Sequence, residues 1–143
     1  MDFTILEKSI DYTFKDKKLL EQALTHTSYA NTKNVQSNEK LEFFGDSILE
    51  YISSEYIYNN YIKLKEGEMT KVRATVVCED SLYEVALRHD FSDFLLLGKS
   101  EKNNKKAKLK AILADSVEAV IAAMCIDGGI DASKKFIIEN LKD

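Results

Sequence analysis

The chain is organised around NEKLEFFGDSIL, residues 38–49. At about 100° per residue, this stretch is typical of an α-helix with two different sides. One side carries apolar residues and predicts a core-facing stripe, made of Leu41, Phe44, Ile48 and Ile52. Another side carries Glu39, Glu42 and Asp46, which fall within about 60° of one another. Because three like charges on one face repel, the arrangement indicates a cationic partner, most commonly a hard divalent ion.

The length and composition predict one globular domain, residues 1–143. Hydrophobic residues make up 45% of the chain and charged residues 31%, which is typical of soluble proteins. No apolar run is long enough to span a membrane and no signal-peptide profile is present, so we expect no membrane association. Cys78 and Cys125 lack metal-site spacing, which favours a reduced, cytoplasmic setting. The net charge of −4, taken alone, argues against a nucleic-acid partner.

The absence of proline and the presence of only five glycines predict an all-α fold. Polar connections are expected at residues 31–37 and in the lysine-dense segment 99–110. The predicted helices are Phe3 to about Tyr12, a second helix capped by Asp16, Asn38–Asn60, Glu68–Cys78, Glu79 to about His89, Ala111–Asp127, and Ala132 to about Leu141, the last capped by Asp131.

The helix predicted for residues 111–127 is the second informative stretch. Its side chains are apolar or small apart from Ser116, Asp115 and Glu118, which is typical of a buried central helix. Two unpaired carboxylates are costly to bury. Small residues on the Asp115 side would let another helix approach closely, and Gly45 in the first stretch offers a matching low profile.

Contact between these two helices would bring four carboxylates together, Glu42, Asp46, Asp115 and Glu118. A ligand set with neither cysteine nor histidine suits Mg²⁺, or Mn²⁺ in its place, rather than zinc or copper. Such a site is suited to hydrolysis of a phosphate ester. The alternative is that these acids are surface residues of an acidic protein.

Five blocks of this sequence, in the same order, resemble the ribonuclease III family of double-strand-specific endoribonucleases. The signature helix is similar to the family pattern NERLEFLGDAVL, and the resemblance covers nearly the whole chain. The other four blocks are LTHTSYAN at 24–31, KEGEMTKVRATVVCEDSL at 65–82, LLLGKSE at 95–101 and LADSVEAVIAAMCIDGG at 113–129.

The resemblance implies a Mg²⁺-dependent endonuclease domain without an organic cofactor. Asp46 and Glu118 match the positions on which cleavage depends most, and Glu42 and Asp115 complete the metal-binding quartet. Glu39 and Glu66 match a supporting pair of acids near the cleavage site. Family members are two-fold homodimers that cut double-stranded RNA in rRNA and mRNA processing, leaving 5′-phosphates and short 3′ overhangs.

The resemblance also assigns Phe43 as a dimer anchor that inserts into the other subunit. The position of Phe43 on the acid side of its helix supports this role, because an exposed phenyl group requires a partner surface. The alternative is that Phe43 covers a gap in its own subunit. We expect Tyr51, Tyr56, Tyr58 and Tyr61 to serve core and dimer packing.

His26 and His89 have no acidic or cysteine partner at ligand spacing, so we expect structural or surface roles. The lysines of residues 99–110 are suited to phosphate contacts or to solubility alone. Residues 1–143 do not include the basic double-stranded-RNA-binding domain that usually follows in bacterial members, so we expect either the catalytic part of a longer protein or a protein without that module, and either would account for the acidic balance. Two alternatives remain, a non-catalytic structural or RNA-binding domain and a small-molecule phosphohydrolase.

Overall fold

The computed structural model describes residues 1–99 and 106–141, and within these ranges the regular elements are all helical. The all-α prediction is confirmed. The helices are α1 (Thr4–Ile10), α2 (Lys17–Ala23), α3 (Thr27–Lys33), α4 (Glu39–Asn60), α5 (Glu66–Val77), α6 (Glu79–Arg88), a 3₁₀ turn (Phe91–Asp93), α7 (Lys106–Gly128) and α8 (Ile130–Leu141).

Helix α7 is the centre of the fold and lies against α2, α4, α6 and α8. Its residues are buried around the whole circumference, including Val117, Val120 and Ile121, as the apolar pattern predicted. Within residues 1–99 and 106–141, no helix is both long and apolar enough to cross a membrane. The two informative helices, α4 and α7, therefore meet inside one hydrophobic core.

The start of α4 is fixed by Asn38, which is buried. Its side-chain nitrogen donates to the Ala23 carbonyl at 3.0 Å, and its backbone N–H donates to the Thr25 carbonyl at 2.9 Å. These bonds attach the first turn of α4 to the end of α2. Helix α2 itself begins as predicted, with the Asp16 side chain accepting from the Lys18 N–H at 3.0 Å.

One predicted core residue of α4 is wrong. Phe44 is 42% exposed, whereas Gly45 is buried with Leu41 and Ile48. A Cβ atom on Gly45 would lie only 1.8 Å from the Glu118 carbonyl oxygen, so the glycine faces α7 directly. The buried side of α4 is therefore centred on Gly45, which turns the neighbouring phenyl ring outward.

Several predicted boundaries also differ. Residues 106–110 were expected in a loop but form the first turns of α7, because lysine is a good helix former and Lys110 pairs with Asp80 and lies over the Tyr83 ring. The segment expected to be a loop after Ala30 extends α3 to Lys33. Asp131 lies inside the first turn of α8 rather than at its cap. Lys102 and Lys105 lie outside the described residues.

The side chains of Tyr51, Tyr58 and Tyr61 are exposed, so the expected core packing of these residues is wrong, and their expected part in dimer packing stays a prediction. Cys78 is exposed at the junction of α5 and α6, and both Cys78 and Cys125 are free thiols. Gly129 has a positive φ of 91° and directly follows the last residue of α7.

Candidate metal centre

The candidate site lies where α4 crosses α7. Helix α4 carries Glu42 and Asp46 on successive turns, and α7 carries Asp115 and Glu118 one turn apart. Gly45 permits this crossing, because its missing side chain lets the two backbones touch beside Glu118. The close approach of the helices brings Glu42, Asp115 and Glu118 near enough to share one cation, with Asp46 beside Glu118.

The four acids form two hydrogen-bonded pairs across the helix interface. Glu42 pairs with Asp115 and Glu118 pairs with Asp46, and in each pair the side-chain hydrogen bond raises the pKa of the glutamate. One carboxylate oxygen each from Glu42, Asp115 and Glu118 lie within 4.8 Å of one another. Without a cation, carboxyl groups at this spacing must share protons, since like charges at short range disfavour joint ionisation.

The pKa values report this crowding. Burial raises the pKa of Glu118 to about 9, with further contributions from the hydrogen bond and charge of Asp46. Burial also raises the pKa of Glu42 to about 7, together with the charge of Asp115 and the hydrogen bond to it. Burial raises the pKa of Asp115, and the smaller effect of the hydrogen bond with Glu42 lowers that pKa.

Two further residues predicted from the sequence border this cluster. An open pocket is lined by Glu39 and Phe43 together with Glu42, Asp46 and Glu118. Glu39 is exposed, and its charge contributes to the raised pKa of Glu42. The Phe43 side chain is 79% exposed and lies at the same rim as the acids of α4.

Glu66 is not brought to this cluster within the chain. It lies at the first residue of α5 and lines a separate groove between α4 and α5, with Tyr58 and Arg73 among its neighbours. Glu79 was not predicted as a site residue, but its charge acts on the acid cluster. It begins α6, and its charge raises the pKa of Asp115.

The two histidines have structural contacts. His89 is buried, with Nδ1 at 2.5 Å from the Ser9 hydroxyl and Nε2 at 2.6 Å from the Asn140 side-chain oxygen. These bonds join α1, the end of α6 and α8. The His26 Nδ1 accepts from the Ser28 N–H at 3.1 Å and so caps α3.

Comparison with known proteins identifies the family. The family model described as Ribonuclease-III-like matches residues 16–143. The chain belongs to the ribonuclease-III-like family. Ribonuclease 3 of Clostridium kluyveri is 46% identical over 99% of the chain, and ribonuclease 3 of Caldanaerobacter subterraneus is 46% identical over 98%.

Ribonuclease-III-like structures share the fold. A solved nuclease domain of ribonuclease III from Campylobacter jejuni superposes with a TM-score of 0.88 at 36% identity, covering 97% of this chain and 98% of that one. That structure was described for structural flexibility in a region involved in dimer formation. The chain spans 58% of the C. kluyveri protein and 62% of the C. subterraneus protein.

The residues at the α4–α7 crossing fit the divalent cation that this family implies. Their donors are all carboxylate oxygens, which hard cations such as Mg²⁺ and Mn²⁺ prefer. The raised pKa values of Glu42 and Glu118 have no compensating positive charge among their causes within residues 1–99 and 106–141. A bound cation would supply that charge and displace the shared protons.

Proposed function

We propose that residues 1–143 are the catalytic domain of an endoribonuclease that hydrolyses phosphodiester bonds of double-stranded RNA with Mg²⁺. The observation that carries the proposal is the meeting of Glu42, Asp46, Asp115 and Glu118 at the α4–α7 crossing. Family membership supports the same reaction class, since the relatives over nearly the whole chain are ribonuclease 3 proteins.

In this proposal the four acids hold the cation, and Asp46 and Glu118 contribute most to cleavage. A divalent cation at such a site supplies Lewis-acid chemistry, which lowers the pKa of water and screens charge on phosphate oxygens. The carboxyl groups must release their shared protons to act as ligands. Asp46 is exposed at the open pocket, and Glu118 is buried behind Asp46. A substrate would therefore approach the acids only from the open side of the pocket.

The open shape of the pocket favours a polymer over a small molecule. Its wall consists of four acids and the exposed Phe43 ring, without the enclosing polar contacts that orient a small substrate. We therefore propose a homodimer that presents two such sites to one duplex, each cutting one strand to leave a 5′-phosphate and a short 3′ overhang. Phe43 anchors that dimer, and Glu39 and Glu66 support cleavage.

The proposed cellular role follows the family, namely processing of rRNA and mRNA in the cytoplasm. No organic cofactor enters the proposed reaction, and Mn²⁺ is expected to replace Mg²⁺. The non-catalytic alternative is less well supported, because a structural domain has no need to retain four carboxylates at a buried crossing where they destabilise it.

The test is cleavage of a long, end-labelled RNA duplex in Mg²⁺, with the single strand of the same sequence for comparison. We expect Glu118→Gln to reduce duplex cleavage on the order of 10⁴-fold, because glutamine keeps the shape but removes the anionic ligand. Glu84→Gln, on the exposed side of α6, is the matched control and should cleave at the parent rate.

Three outcomes of this assay decide the proposal. Parent-level cleavage by Glu118→Gln would overturn the role of the acid cluster. Equal cleavage of the single strand would overturn duplex specificity. A parent protein that binds the duplex without cutting it in either Mg²⁺ or Mn²⁺ would replace the nuclease proposal with the non-catalytic one.

A further inference from the structure

A second concave surface, here called the α2–α3 groove, lies between α2 and the end of α3. Its polar lining includes Lys18, Gln22, Tyr29, Lys33 and Gln36. None of these residues belongs to the acid cluster. The groove is open and has a free volume of about 1040 Å³ with its mouth included, so it suits part of an extended chain better than one small enclosed ligand.

The two lysines of the groove are available to bind an anion. Neither has a carboxylate partner within residues 1–99 and 106–141, whereas Lys17, Lys134 and Lys135 are each paired with an acid. Glu21 is the one acidic residue that lines the groove in this described part of the chain. The groove is therefore locally positive in a chain whose net charge is −4.

Lys33 is held in the groove by an aromatic ring. Its side-chain nitrogen lies 5.9 Å from the centre of the Tyr29 ring, which is a cation–π contact. This contact restricts the lysine side chain without neutralising its charge. Less conformational entropy is then lost when the ammonium group binds an anion.

The groove adjoins the acid cluster through residues 36–39. The Gln22 side-chain nitrogen donates to the Ser37 carbonyl at 3.3 Å, and the Ser37 hydroxyl donates to the Glu39 carboxylate at 3.3 Å. Gln36 lines the groove, and Glu39 lines the open pocket of the acids. Because consecutive Cα atoms are about 3.8 Å apart, the Cα atoms of Gln36 and Glu39 are separated by at most about 11 Å. A polymer bound at the acids can therefore extend into the groove.

We propose that the α2–α3 groove binds the sugar–phosphate backbone of the RNA substrate outside the cut site, with Lys18 and Lys33 each contacting one phosphate. This inference rests on the proposed nuclease function and adds a second contact region to it. The acid cluster repels every phosphate except one held by its cation, so lysines beside the cluster offset that repulsion. Such backbone contacts supply affinity that does not depend on sequence and fix the position of the duplex.

Duplex affinity tests the two lysines. Fluorescence anisotropy of a labelled RNA duplex is measured in Mg²⁺ with Glu118→Gln as the background, so that the RNA stays intact. We expect Lys18→Gln and Lys33→Gln each to weaken binding about fivefold to tenfold at 0.1 M salt. Each should also reduce the slope of log K against log salt by about 0.9, the value for one phosphate contact. Lys8→Gln is the matched control, because Lys8 is exposed on α1 and does not line the groove, and it should change affinity by less than about twofold.

Neutralising single phosphates tests whether the contact is direct. Methylphosphonate groups, which carry no charge, replace the phosphates of the duplex one at a time. At the phosphate that Lys33 contacts, the replacement should weaken binding by the background protein but should not weaken binding by Lys33→Gln further. Lys33→Arg keeps the charge and should bind like the background protein. A scan in which no phosphate is coupled to Lys18 or Lys33 would overturn the proposal.

Cleavage kinetics separate this inference from the proposed function. With Glu118 intact, Lys18→Gln and Lys33→Gln should raise KM and leave kcat unchanged, because the groove contacts the substrate away from the scissile bond. Normal cleavage, with duplex affinities of both variants equal to that of Lys8→Gln, would overturn the groove inference and leave the nuclease proposal standing. Weaker duplex binding by both variants, with no cleavage by the parent, would overturn the nuclease proposal and leave the groove as an RNA-binding surface.

Discussion

Glu118 and Asp46 show how position decides the chemistry of a carboxyl group. Glu118 is only 9% exposed, and burial raises its pKa to about 9, whereas Asp46 on the facing helix is exposed and accepts its hydrogen bond. The proton on Glu118 therefore substitutes for a cation when none is bound. The same pairing is repeated between Glu42, whose pKa is raised to about 7, and Asp115.

These raised pKa values predict that the metal-free protein loses stability as pH rises. Each group binds its proton more tightly in the folded state than its ordinary pKa of 4.5 allows, so folding is favoured at low pH. That contribution is complete below about pH 4.5 and is lost as pH passes about 7 for Glu42 and about 9 for Glu118. Urea unfolding in EDTA between pH 5 and 9 measures it.

Glu118→Gln provides the control for this pH dependence. The amide mimics the protonated acid and does not titrate, so the variant should show a smaller fall in unfolding free energy above pH 7 than the parent. At pH 8 in EDTA we expect it to be at least as stable as the parent. A parent protein whose stability rises between pH 7 and 9 in EDTA would contradict the proton-sharing arrangement.

Divalent metal should stabilise the folded protein, whereas a rise in pH should destabilise it. Because Mg²⁺ competes with the shared protons for the same oxygens, adding it should raise Tm more at pH 8 than at pH 6. Thermal unfolding with Mg²⁺, and again after EDTA, measures the difference. Glu118→Gln should lose most of the stabilisation by metal, while Glu84→Gln should retain it.

At the scale of the elements, the crossing of α4 and α7 depends on one missing side chain. Gly45 lies against the backbone of Glu118, so the separation of the two helices is set by backbone contact rather than by side-chain packing. This contact also places Asp46 and Glu42 opposite their partners on α7. Core packing and site geometry are therefore determined by the same residue.

Gly45→Ala tests this dependence. An added methyl group would lie 1.8 Å from a carbonyl oxygen, so the helices must separate, and we expect a loss of at least about 3 kcal/mol of unfolding free energy or failure to fold. Gly67→Ala is the matched control, because no atom lies within 4 Å of its Cβ position. It should stabilise α5 by up to about 1 kcal/mol.

At the scale of the whole molecule, α4 presents exposed aromatic side chains along one face, from Phe43 at the acid cluster to Tyr58 in the groove beside α5. Phe43, Tyr51 and Tyr58 are all exposed and fall within about 80° of one another around the helix. Rings exposed along one face are typical of an interaction surface. The C. jejuni nuclease domain has a region involved in dimer formation, and we propose that this face of α4 forms the homodimer here.

Phe43→Ala should therefore weaken self-association without unfolding the chain. We expect a loss of about 2 kcal/mol or more in dimer stability, as for a buried aromatic anchor, measured by sedimentation equilibrium. Ile5→Ala on α1 is the matched control, because its side chain is 77% exposed, close to that of Phe43, and lies outside the proposed surface. Equal effects of the two substitutions, or none from either, would contradict the assignment of Phe43.

The fold class and the four acids of the site were predictable from the sequence, each for its own reason. The helical class and the burial of α7 follow from the lack of proline and from apolar residues on every side of one segment. The four acids were identified because carboxylates at helical spacing, in otherwise apolar or glycine-containing helices, are costly without a partner. These features depend on residues near one another in the chain, so periodicity reveals them.

Only the tertiary structure decided which side of α4 is buried, where Glu66 lies and that Glu79 faces Asp115. Periodicity gives the direction of a side chain around its own helix. It does not give the side from which another helix packs against that helix. The proton positions on Glu42 and Glu118 likewise depend on burial and on charges from a distant part of the chain. The residues of the site were thus determined by the sequence, and their electrostatics by how α4 and α7 meet.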